Sequence, residues 1–141
     1  MSQLFNLATP LLLLALCVYA TTSLTAHRRL ASEGTQKLIH AIEKLSKNFH
    51  HKVVHDGYAK KYLKKLNISV AAANQLVRKN NLTALLYGSE GPHDPVNALD
   101  DWGHTLEKFI MANRRLTAFG CHGHHHKGTK WFEYACVFDA L

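Results

Sequence analysis

Several common machineries are missing from this sequence. It carries no glycine-rich phosphate loop, no zinc-protease helix and no serine elbow, and so lacks the chemistry those motifs support. No internal repeat is present. The longest apolar run, residues 11–20, is too short for an ordinary transmembrane helix, which needs about 20 residues. The C-terminal residues Val137 to Leu141 offer neither a retention signal nor a hydrophobic tail for a lipid anchor. A chain of 141 residues leaves no room for a two-domain enzyme or a large cofactor fold, and a single domain is expected. Acidic groups are few: ten Asp plus Glu stand against seventeen Lys plus Arg, giving +7 with eleven His counted as neutral. With 47% apolar and 19% charged residues the composition is that of a globular chain.

What is present begins with a leader. Residues Met1 to Ala20 hold no charged side chain, and Leu11 to Ala20 run into polar Thr21-Thr22-Ser23. Val18 and Ala20 put small or modest side chains where a signal peptidase reads, so residues 1–20 are expected to be a signal peptide, with Ala26 a second cleavage point. The expected mature unit, 21–141, is one secreted domain. Cys17 leaves with the leader, and Cys121 and Cys136 remain for an oxidising compartment, where pairing with each other is the simplest outcome. Asn67-Ile68-Ser69 and Asn81-Leu82-Thr83 are glycosylation sequons that export would make usable at Asn67 and Asn81.

Leu38, Ile42, Leu45 and Phe49 recur at helical spacing, with Lys37, Lys44 and Lys47 on the other side, and predict an amphipathic helix over about 33–52. Tyr58, Tyr62 and Leu66 suggest a second short helix, with Lys60-Lys61 and Lys64-Lys65 turned outward. Ser69 can cap a third that runs from Val70 to Lys79. Residues 82–87 are too short to assign, and 88–95 are rich in turn formers. Asp94-Pro95 is a strong helix start, and the stripe Val96, Leu99, Trp102, Leu106, Phe109 and Ile110 predicts a helix over 95–113. Trp102 and Trp131 are read as core anchors.

The period then changes. Leu116 to Cys121 is short and apolar, and Trp131 to Phe138 alternates. Two strands joined by Gly- and His-rich residues predict an antiparallel hairpin. Centred near His126, such a hairpin sets Cys121 opposite Trp131 and leaves Cys136 roughly 16 Å along the partner strand, beyond disulfide reach. Either the strands are offset, or the two cysteines do not bond to each other.

The order of a long helix, Asn113-Arg114-Arg115-Leu116-Thr117-Ala118-Phe119-Gly120-Cys121, a gap and an aromatic strand with a Cys near its end resembles the C-terminal half of the secreted SCP/CAP family. Gly103-His104-Thr105 is similar to the opening of that family's helix motif. Gly120-Cys121 matches its Gly-Cys, and Tyr134-Ala135-Cys136-Val137-Phe138 resembles its second strand motif. The resemblance implies an α+β fold, an α-β-α sandwich of helices packed on a small antiparallel sheet. It also implies a cleft in which some members place two His and two Glu around a divalent metal. Only His104 carries over from that set, with Glu107 one turn later by position alone, which implies a diverged, non-enzymatic member.

Cys121-His122-Gly123-His124-His125-His126-Lys127 is the most unusual stretch. Neutral imidazole binds Zn and Cu well, and in an extended segment His122, His124 and His126 point to one side, so they can converge on one ion. His51 and His55, four apart, would share a face if the first helix reached them. No cofactor is otherwise implied. The expected function is a secreted, non-catalytic binding protein acting on an extracellular protein, lipid or sterol. An acidic glycan or membrane surface is a further partner that the positive charge would favour, with no specific nucleic acid. A histidine-rich metal-binding or antimicrobial protein and a small secreted hydrolase or nuclease are the alternatives.

Overall fold

A computed structural model describes residues 29, 31–90, 105, 107–109 and 111–140. The expected leader, the sequence from 91 to 104 with Trp102 and His104, and the opening of the expected 95–113 helix lie outside the described residues. Among the described residues no helix is long and apolar enough to cross a membrane.

Helix α1 occupies 31–45 and ends earlier than the periodicity predicts. Leu38, Ile39 and Ile42 are buried on its inner face, whereas Leu45 is 43% exposed. Phe49 reaches the core from the turn that follows, so the apolar spacing marks core residues but its last member is not helical. The chain then makes a two-residue strand, β1 (His50–His51), before helix α2 (Val53–Leu66) and helix α3 (Val70–Lys79). Ser69 caps α3 as expected, its hydroxyl accepting from the Ala72 amide. Strand β2 (Leu82–Glu90) takes up residues expected to be unassigned or turn-rich. Helical residues at 107–109 and 111–112 lead into strand β3 (Leu116–His125), and strand β4 (Trp131–Ala140) closes the sheet.

The sheet order is β1-β3-β4-β2, antiparallel except for the parallel pair β1/β3. β4 is therefore interior, and both of its faces are covered: every residue from Tyr134 to Phe138 is buried. This explains why its alternation carries no polar face at the centre. On one face lie α1 and Phe109. Phe119 and Phe138 stack at 6.0 Å between centroids, with Phe49 edge-on to both and Phe109 5.0 Å from Phe138. On the other face α2 and α3 close over Ala59, Leu82 and Val137. The fold is the expected α+β arrangement, helices on both sides of a small sheet.

The hairpin is longer than expected, and its centre moves. Cys121 pairs directly with Cys136, so the midpoint falls between Gly128 and Thr129 rather than near His126. The histidine run up to His125 is strand, because β4 supplies partners out to Phe132. The turn belongs to the residues after it. Thr129 N–H donates to the His126 carbonyl, His126 N–H donates to the Trp131 carbonyl, and Gly128 adopts φ +73°. The difficulty with the cysteines disappears with this shift: they form a disulfide across the two strands, with Cα atoms 4.1 Å apart. A bulge between Leu116 and Phe119 absorbs the remaining offset. Trp131 differs from its expected core role, standing 40% exposed against Gly88 on the neighbouring strand β2.

Candidate functional site

β1 ends after two residues because the chain turns into α2 at Val53, and among the described residues this leaves the outer edge of β3 without a strand beyond Phe119. A cleft of about 680 Å³ occupies the vacated lane. Its floor is the run Cys121 to His125 of β3. One wall is α1, through Ala31, Ser32, Thr35, Gln36 and Ile39, and the other is the first half of α2, through Asp56 and Lys60, with Lys127 at the turn end. α1 approaches β3 closely at Gly123, where a Cβ would come within 2.6 Å of the Thr35 hydroxyl.

Asp56 is the hinge of the site. His51 Nε2 donates to its carboxylate at 2.9 Å from both oxygens, and the Cys121 amide donates to Oδ1 at 2.9 Å. The carboxylate thus takes over, at the third position along the edge, the role β1 plays for the first two. The His51 ring rests against Phe119, 5.8 Å between centroids. Since His51 is in β1, it does not share a helix face with His55. His55 is instead buried beneath β3, 3.6 Å from Asp139 and edge-on to Tyr58.

The cleft is basic. Lys60 and Lys127 line it, and Lys64 lies one turn beyond Lys60 on the same side of α2. His122 belongs to the β3 floor and feels the charge of these lysines. Burial first, then the charges of Lys60, His124 and Lys64, hold its pKa below the ordinary histidine value, with Asp56 pulling the other way. His124 is lowered in the same sense, by burial and then by His126, against Glu133.

Of the expected metal ligands, His122 and His124 do share the α2 side of β3, and the His124 and His126 rings lie 5.1 Å apart. His126 lies past the strand end, its Nε2 2.9 Å from a Glu133 oxygen though not aligned as a hydrogen bond. Among the described residues no group of three or more His, Cys, Asp or Glu is placed to hold an ion. His104 lies outside them, and Glu107 is exposed. Asn67 and Asn81 are both exposed, Asn67 at the end of α2 and Asn81 just before β2 with φ +52°. The contribution that sequence reasoning missed is Asp56 with Lys60. Asp56 has no motif around it, and its role comes from meeting β3 sixty-five residues away.

The sequence matches no family model and no curated protein. Among solved structures, the chain is similar to manganese-bound Ac-ASP-7, with TM-score 0.48 and 16% identity. It is similar likewise to Ancylostoma-secreted protein Ac-ASP-7, with TM-score 0.45 and 17% identity. Each match covers 66% of this chain and 50% of the other, so the chain spans half the length of the structures it matches. Ac-ASP-7 is a protein of the SCP/CAP family that the C-terminal motifs resemble.

Proposed function

We propose that this chain is a secreted, non-catalytic binding protein resembling a diverged SCP/CAP domain, and that the cleft between α1, the β3 edge and α2 receives an anionic ligand from outside the cell. The observation that carries this reading is the charge of the cleft. Lys60 and Lys127 line it beside His122, His124 and His125, and among the described residues the one lining carboxylate is that of Asp56, whose oxygens already accept from His51 and Cys121. A bound anion therefore meets the two lysines without an opposing free carboxylate among the described residues of the wall. Export is supported by the apolar leader and by a disulfide that suits an oxidising compartment.

The test is direct. The oxidised protein is titrated with a heparin-derived oligosaccharide and with vesicles containing or lacking an anionic lipid. Wild type is compared with a Lys60→Glu/Lys127→Glu variant, both exposed positions whose exchange leaves the core untouched. Binding that weakens with salt and is lost in the variant supports the reading. Equal binding by both proteins places the ligand elsewhere, and turnover of RNA or ester substrates at pH 5 to 8 overturns the non-catalytic assignment.

A further inference from the structure

We propose that the cleft takes an acidic peptide in extended form, which adds as a strand to the open edge of β3 in continuation of β1. This rests on the reading of the cleft as an anion site and names the kind of ligand.

The edge is available. Along β3, alternate residues turn both backbone groups away from β4. The Phe119 carbonyl is met by the Lys52 amide at 2.9 Å, and the Cys121 amide by Asp56. The register with β4 is unbroken from Phe119 to His125, so the Cys121 carbonyl and both backbone groups of Gly123 face the same side. Among the described residues nothing meets them. Folded proteins cover, charge or shorten such edges. Here the edge forms the floor of a cleft, bounded by a helix on each side. Five consecutive residues line it, about 16 Å of strand, enough for a peptide of about five residues.

The walls specify the sequence pattern. A peptide strand in this lane points alternate side chains to the two helices. Toward α2 it meets Lys60 and His122, and toward α1 it meets Ala31, Thr35 and Ile39. The complementary peptide therefore alternates carboxylates with small apolar residues. An oligosaccharide or lipid headgroup would use the cations and ignore the backbone groups, and this difference is what an experiment can read.

The probe is a fluorescein-labelled peptide of alternating Glu and Val, seven residues long, titrated into the oxidised full chain and followed by anisotropy. Two further peptides carry N-methyl groups on alternate amides, one set for each edge of the strand. The expected result is that the unmodified peptide binds and its Lys-for-Glu counterpart does not. One N-methylated peptide should bind at least about tenfold more weakly while the other is little changed, because only one edge faces β3, and two lost hydrogen bonds correspond to about that factor. Equal affinity of all three Glu peptides overturns strand addition. If that binding is still lost in Lys60→Glu/Lys127→Glu, the anion site stands without the peptide. If neither the peptide nor the heparin-derived oligosaccharide binds, both readings fall.

Discussion

Asp56 and Cys121 are joined by a 2.9 Å bond from the Cys121 amide to the Asp56 carboxylate, linking α2 to the edge of β3 at the point where β1 has run out. Cys121 is also the residue that the disulfide fixes to β4. One residue thus gathers a helix, an edge and an interior strand, and the cleft begins beside it.

Replacing Asp56 by Ala removes the acceptor for both Cys121 and His51. Hydrogen bonds to a charged group contribute about 1.5–3 kcal/mol, and a loss near the lower end is expected because the carboxylate is partly solvated. Urea denaturation measures the loss. Hydrogen exchange locates it, with the Cys121 amide exchanging faster in the variant while amides at the centre of β4 change only by the global amount.

Reducing the disulfide opens a closed loop of 15 residues and is expected to lower stability by about 3 kcal/mol in the chain-entropy account. Comparing oxidised and reduced protein in urea checks this without altering a side chain. A reduced form as stable as the oxidised one would show that the β3/β4 register holds without the bond.

Two glycines separate packing from propensity. A Cβ at Gly120 would collide with the backbone of His55 and Asp56 and lie 2.6 Å from the His55 Cβ, so Gly120→Ala must push α2 off the sheet. The expected cost is about 1–3 kcal/mol or more. Gly57 is inside α2 with nothing within 4 Å of such a Cβ, so Gly57→Ala is expected to stabilise by about 0.5–1 kcal/mol. Thermal unfolding of the two variants should move in opposite directions.

His122 gives the fold a pH dependence of definite sign. Its pKa is lowered in the folded chain, by burial and by Lys60 first, so below about pH 6.5 the unfolded chain binds a proton that the folded chain refuses. Stability therefore falls as pH drops through that range, until the folded-state pKa is passed. His122→Gln should flatten part of the slope between pH 7.5 and 5.5 in urea titrations. An unchanged slope would assign it to other groups. Binding of an anion in the cleft should move the other way, strengthening as His122 and His124 take up protons.

The elements near one another in sequence were readable because their signals are local. Ser69 before an alanine-rich run, the tyrosine spacing of α2 and the alternation of β4 each report a preference decided within a few residues. The end of α1 departs from the periodicity because Phe49 satisfies the helical period while reaching the core from a turn. β2 has no local signal because its pairing depends on β4, about forty to sixty residues later. His122 to His125 looked like a loop by composition, and pairing with β4 makes them strand.

The sequence by itself determined the basic charge, the presence of Cys121 and Cys136 as a candidate pair and the order of most helices and strands, since these follow from residue identity and short-range periodicity. Only the tertiary structure decided the hairpin register that unites Cys121 with Cys136, the early end of β1 and the capture of Asp56 by the exposed strand edge. Those outcomes depend on which distant backbone groups meet, and a strand edge offers the same N–H and C=O groups whatever its sequence, until packing chooses the partner.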